Sequence, residues 1–268
     1  KYIFKISKNP KNIKNQHVVF PLSYTKILPE SFLKKNNLVL IAHPSKLPKD
    51  KGFAPLQYQI LRNKNKVFMS LIKAEKEVDA GPIYFQNSFV LSGLELYDEI
   101  RTIQGKQFLN IIKKFFIKYP NIKSKKQLGK SSFNKRRYSK DSQLDINKTI
   151  RQQFNHLRIN DNELYPSFFY YKKQKFIIKI FKGKKRSYSK DSQLDINKTI
   201  RQQFNQLRIN DNELNPSFFY YKNKKFIIKI FKVKKGELIS LKKHKYIIAT
   251  IKDWNIKEYN RSIYKKNK

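Results

Sequence analysis

The 268 residues carry 60 Lys and Arg against 19 Asp and Glu, a net charge of +41, with no cysteine. That length suits one large domain or two small ones with a sizeable core. The missing cysteines exclude disulfides and thiolate metal ligands, which fits a cytoplasmic setting.

No apolar run approaches the roughly 20 residues that span a bilayer, so no membrane association is expected. The four histidines (His17, His43, His156, His244) lack the paired spacing of a zinc site, and no metal is expected. Only 10 of the 60 cations are Arg, whereas phosphate and base recognition favours its bidentate fork. Asn, Ile, Phe and Tyr are abundant alongside Lys, as a bias towards A/T-rich codons would produce. The charge therefore reads first as a solvated Lys-rich surface, although such a field favours anionic ligands, sugar nucleotides and RNA included.

The first 16 residues are polar and rich in Lys and Asn. His17 to Leu22 predict a short strand, and Leu28 to Leu33 a helix begun by Pro29. Val39 to Ala42 predict a buried strand running into a His43-Pro44-Ser45 turn and a Pro/Lys/Gly loop. A short helix follows from about Pro55, then a strand over Val67 to Lys73 and an acidic loop ending Asp79-Ala80-Gly81-Pro82. In an open α/β sheet, loops at the carboxyl ends of strands build the site. His43 and Asp79 are the candidates for such a site here.

Ile83 to Val90 predict another strand. Ser92-x-x-Glu95 has the capping-box pattern and predicts the start of a long helix. Leu96, Ile100, Ile103, Phe108, Ile111, Ile112, Phe115 and Phe116 give that helix one apolar stripe. Gly105 weakens its middle and Tyr119-Pro120 ends it. Residues 121–137 read as a solvated basic linker.

Residues 138–182 recur as 188–232, a period of 50, differing only at His156/Gln206, Tyr165/Asn215, Lys173/Asn223 and Gln174/Lys224. Each copy predicts a helix opened by Asp145 (Asp195), with Ile146, Ile150, Phe154 and Leu157 on one face. A hairpin follows over Phe168–Tyr171 and Phe176–Ile180, turning at Lys173-Gln174. Near-identity points to a recent tandem duplication rather than a solenoid. One copy would then dock on the N-terminal part and the other be surplus, as an appendage or exchanged into a homodimer. The tail, 233–268, predicts a hairpin over Gly236–Ser240 and Tyr246–Ile251 that completes a β-rich subdomain with the preceding copy, then a basic end.

Two linked segments carry a family resemblance. His43, Ser45, Leu47, Pro48, Gly52 and Pro55 match one motif of the folate-dependent formyltransferases, and Asp79, Gly81, Pro82 and Ile83 a second. The resemblance covers about residues 17–120, and less specifically each repeat, where Leu157-Arg158 and Leu207-Arg208 sit as at the start of the family's C-terminal region. It implies an α/β, Rossmann-like formyltransferase sheet over 1–120, followed by a small α+β region containing the duplicated unit. The family's opening strand and glycine loop have no match, since no Gly precedes Gly52, and N-terminal truncation is expected.

The implied reaction moves a formyl group from 10-formyltetrahydrofolate to a primary amine. The resemblance assigns His43 and Asp79 to catalysis and Val78, Ala80, Gly81 and Pro82 to the folate pterin. Ser45, Lys49, Lys51 and Gly52 are assigned to the substrate, with Gly52 and Gly81 letting backbone approach the ligand. The family's third catalytic side chain, an Asn two residues before the His, is Ile41 here. An apolar residue there resembles the sugar-amine branch, so a nucleotide-linked amino sugar is the expected acceptor. Initiator tRNA is the alternative, and a catalytically impaired remnant a third reading.

Overall fold

The computed structural model describes residues 5–7, 9–22, 24, 26–183, 187–233 and the backbone of 247–250. The N-terminal part comprises β1 (Lys5–Ser7), β2 (Val19–Leu22), α1 (Glu30–Lys34), β3 (Leu40–His43), β4 (Lys51–Gly52), α2 (Pro55–Leu61), β5 (Lys66–Lys73), β6 (Ile83–Val90) and α3 (Tyr97–Lys118). A short strand β7 (Phe133–Asn134) follows. The repeats hold α4 (Ile150–Arg158), β8 (Ser167–Tyr171), β9 (Gln174–Lys182), α5 (Phe204–Ile209), β10 (Ser217–Tyr221) and β11 (Lys224–Lys232), and β12 (Ile247–Thr250) closes the described chain.

β5 is the middle strand of the sheet β3-β5-β6. Val67, Met69, Leu71 and Ile72 bury nearly the whole of it, as a strand covered on both faces requires. Both of its pairings are antiparallel. The acidic loop between β5 and β6 has no crossover helix, so the chain can only fold back beside itself. Among the described residues, parallel pairing in this part occurs at a Val19–Val39 bridge and between β4 and β7. The architecture is mixed α/β, as expected, with antiparallel pairing on both sides of β5.

α3 packs Ile100, Ile111, Ile112 and Phe115 into a core shared with Phe20, Leu40, Leu56 and Met69. Gly105 meets nothing on its open side and does not interrupt the helix. The start differs from expectation. Ser92 donates its N–H to the Glu95 carboxylate (2.6 Å), closing a turn before the helix, and Glu99 reaches back to the Leu96 N–H (2.8 Å). Two acidic residues compete for the cap, and the later one begins at Tyr97.

The two copies fold as one body. Their hairpins join edge to edge in a four-stranded antiparallel sheet, β10-β11-β9-β8. At its centre Lys179 pairs with Lys229, equivalent positions of the two copies, so a local two-fold axis passes between them. The packing is reciprocal. Phe154 of the first copy meets Tyr221 and Phe226 of the second (4.6 and 4.9 Å between centroids). Phe204 meets Tyr171 and Phe176 of the first (4.2 and 5.0 Å). Arg151 N–H donates to Ile196 O and Arg201 N–H to Ile146 O, both at 3.0 Å. A single apolar core draws on both copies, so neither is surplus in this structure. A lone unit would expose the edge of β9 or β11, and pairing the two edges removes that liability.

Details within each copy also differ from expectation. Asp145 forms an Asx turn to Asn147 N–H (2.9 Å), and Thr149 caps the helix by accepting from Gln152 N–H (3.1 Å). The hairpins turn at Lys172-Lys173 and Lys222-Asn223, all with positive φ, one residue earlier than expected. Such a two-residue turn matches the strand twist.

Of the predicted tail hairpin, residues 234–246 and 251 lie outside the described residues. Ile247–Thr250 form β12, which lies between β1 and β2 rather than against the repeats. Among the described residues no helix is long and apolar enough to cross a membrane.

Candidate functional site

β3 delivers His43 at its C-terminal end, and the β5–β6 loop delivers Asp79 opposite it. His43 Nδ1 lies 3.3 Å from Asp79 Oδ1, with 7% and 9% of the two side chains exposed. His43 Nε2 lies 2.8 Å from the Asp50 carbonyl. Both ring nitrogens therefore face oxygen acceptors, and an imidazole with one N–H can serve only one of them. Asp79 Oδ2 accepts the Gly52 N–H at 2.8 Å, so the loop after β3 clamps the carboxylate from its other side.

That loop is held from beneath. Ser45 Oγ donates to Lys49 O (2.8 Å), Ser70 Oγ donates to Ser45 O (2.6 Å), and Gln86 Nε2 donates to Leu47 O (3.0 Å). Gln59 Nε2 donates to Pro44 O (2.8 Å). Buried Ser70 on β5 and Gln59 on α2, with the more exposed Gln86 on β6, thus fix a chain segment that regular structure does not.

Residues 121–137, expected to be a solvated linker, are mostly exposed and in addition strap both site loops. Ile83 and Lys125 exchange backbone hydrogen bonds (2.7 and 2.8 Å). Gln127 Nε2 donates to both Asp79 O and Gly81 O at 2.8 Å. Further along, Ser132 Oγ accepts the Asp50 N–H (2.9 Å), and β7 runs parallel to β4. Asn134 Nδ2 donates to the Asp50 carboxylate (3.3 Å), which also pairs with Arg62 (2.8 Å). The charge run hid Gln127, Ser132 and Asn134, polar uncharged residues spaced among lysines. Those three were the available signal.

The predicted residues divide on this geometry. His43 and Asp79 come together. Val78 and Ala80 lie on the same loop, with Val78 44% exposed, and Pro82 O accepts the Lys73 N–H (3.0 Å). Two glycines also serve the packing of the chain itself. A Cβ on Gly81 would lie 1.9 Å from Lys73 O, and one on Gly52, at φ +85°, would lie 2.7 Å from Asn134 O. Their missing side chains let chain approach chain at these two points.

Ser45 is fully buried and its hydroxyl is spent on the loop, which removes it from direct substrate contact. Lys51 is buried, with Nζ 5.7 Å from the Phe133 ring centroid, while Lys49 stays exposed. Ile41 packs against a small apolar cluster of Ile13, Val19, Phe32, Val39 and Ala74. It offers no hydrogen bond.

Chemically, a buried imidazole with a carboxylate on one nitrogen is suited to donating a hydrogen bond or moving a proton at the other. Among the described residues no group of His, Asp and Glu could hold a metal ion. A folate fits the donor set in one specific respect. Gln127 Oε1 is buried without a partner beside the Val78–Pro82 loop, an acceptor suited to a ring N–H.

The family model described as formyl transferase matches residues 6–99. A methionyl-tRNA formyltransferase of Fusobacterium nucleatum is 30% identical over 147 residues, 53% of this chain and 47% of the relative. The chain thus spans about half the length of that curated relative. A methionyl-tRNA formyltransferase structure from Clostridium thermocellum shares the fold, with a TM-score of 0.55, 21% identity, and 63% and 73% of the two chains covered. So does an N-formyltransferase from Helicobacter canadensis in complex with folinic acid and dTDP-3-aminofucose, with a TM-score of 0.50, 19% identity, and 79% and 73% covered. Through residues 6–99, the chain is thus similar to formyltransferases.

Proposed function

We propose that the protein transfers a formyl group from 10-formyltetrahydrofolate to a primary amine, with His43 and Asp79 as its catalytic pair. The observation that carries this reading is their contact at 3.3 Å at the carboxyl end of β3, inside the matched segment. Asp79 would hold the proton on Nδ1 and fix the ring. As an imidazolium the ring also carries an N–H at Nε2, which would turn from the Asp50 carbonyl to the formyl oxygen as negative charge develops there and pass its proton to the departing tetrahydrofolate nitrogen, the amine's proton returning through water. The Val78–Pro82 loop, with Ala80 and Gly81 at its tip and Gln127 behind it, would hold the pterin. Exposed Lys49 would meet an anionic acceptor.

The position of Ile41 lowers the expected rate. One missing oxyanion donor costs roughly 2.7–4 kcal/mol of transition-state stabilisation where it has been measured.

For the acceptor, the similarity to methionyl-tRNA formyltransferases and the net charge of +41 support methionylated initiator tRNA. Ile41, apolar where the family has Asn, supports the second reading, a nucleotide-linked amino sugar. The test is transfer of a labelled formyl group from 10-formyltetrahydrofolate to each acceptor in parallel. Label on the tRNA supports the first, label on the sugar the second. Label on neither, from a folded sample, would leave the impaired remnant as the account.

A further inference from the structure

The duplicated unit presents one surface twice, and only one of the two is covered. In the first copy Arg158 pairs with the Glu95 carboxylate (3.7 Å) and donates to Asn65 Oδ1 (3.3 Å). Asn155 Nδ2 donates to Asn63 Oδ1 (2.7 Å), and Ile159 enters the core of the N-terminal part. None of the four positions at which the copies differ belongs to this set.

Asn205, Arg208 and Ile209 of the second copy are therefore the same side chains, carried on the shorter equivalent helix Phe204–Ile209. Arg208 Nε donates to Asn205 Oδ1 at 2.8 Å, just as Arg158 Nε donates to Asn155 Oδ1 at 2.7 Å, so the bound arrangement is already set. Exposure separates the two. Ile159 is 3% exposed and Ile209 is 72% exposed.

We propose that Asn205, Arg208 and Ile209 form a second docking site for the Asn63–Asn65–Glu95 patch, supplied by another copy of this chain. The occupant's chemistry is read from the first copy: a carboxylate for Arg208, an amide for Asn205 and an apolar pocket for Ile209. Within one chain the tether gives the first copy a high effective concentration, so it holds its own patch. A chain whose first copy is released offers the patch to the second copy of a neighbour. Two such chains close a two-fold dimer.

The test mixes full-length wild-type chain with an Arg158→Glu/Arg208→Glu variant, whose patch is free and whose docking faces are both disabled. Sedimentation velocity is expected to show a 1:1 complex. Replacing the wild-type partner by Arg208→Glu should weaken it at least tenfold. Independent sedimentation of the two chains would overturn the proposal, as would equal binding to the Arg208→Glu partner. Near-UV circular dichroism checks the fold of each variant. Should the Glu pair prevent folding, Arg158→Ala/Arg208→Ala takes its place with the same expected outcomes.

Discussion

Lys179 stands directly opposite Lys229 across the centre of the repeat sheet, each held by its own copy's glutamate, Glu163 at 2.8 Å and Glu213 at 2.6 Å. Like charges facing one another across strands destabilise a sheet, and the paired carboxylates offset that repulsion. The pairing is also the signature of two units sharing one fold, since each position meets its own duplicate.

Shared packing makes the copies energetically inseparable. Phe154→Ala and Phe204→Ala should each cost about 3–5 kcal/mol, because each ring fills the other copy's hairpin. Urea unfolding of the full chain should show the repeat region losing stability as a unit in both variants. A Phe204→Ala chain whose first copy keeps its full stability would contradict the reciprocal core.

The four differences between copies provide a pH experiment. Burial, opposed by a hydrogen bond to the Asp141 carbonyl, holds His156 below its ordinary value of 6.5. The unfolded chain therefore binds the extra proton first. The stability from neutral His156 is fully present above about 6.5 and is lost as pH falls from there through the folded value. Gln206 makes the equivalent contact to Asp191 O at 2.6 Å, so His156→Gln should keep the hydrogen bond and flatten that window. Thermal melts across the acid range would record it.

The strap over the site should act on binding more than on folding. Gln127→Ala frees the carbonyls of Asp79 and Gly81 and loosens the loop that carries the carboxylate. Folate affinity is expected to fall about tenfold, the equivalent of ~1.4 kcal/mol, with a melting midpoint close to wild type. An unchanged affinity would place the pterin elsewhere.

Gly52→Ala tests the other end of the strap. A Cβ there meets the Asn134 carbonyl and sits at a positive φ, for an expected loss of about 1–3 kcal/mol in chemical unfolding. The same substitution at Gly105, which meets nothing, should be neutral or stabilising.

What the sequence made legible follows from how local each signal is. Strand periodicity placed β3, β5 and β6 within about a residue, and the two motif segments brought His43 to Asp79. Sheet direction was legible for β5 and β6, whose short acidic connection holds no crossover helix, but not for β3 and β5, whose pairing depends on where the chain returns. The strap was hidden for the same reason. Ser132 and Gln127 matter only for the long-range partners they meet, and their lysine-rich surroundings look solvated. The repeat was visible as a duplication, but its reciprocal packing is a property of two copies meeting. Asp145 resembled a helix start because it closes an Asx turn just ahead of the cap that Thr149 holds.

The central claim is that His43 and Asp79 line a working folate site. It is tested most directly by calorimetric titration of the full chain with 5-formyltetrahydrofolate, a donor mimic that does not transfer its formyl group, beside Asp79→Asn. The account predicts saturable 1:1 binding by the wild type, weakened at least tenfold in the variant with the fold intact. Absence of binding by the folded wild type, or equal binding by both, would contradict it.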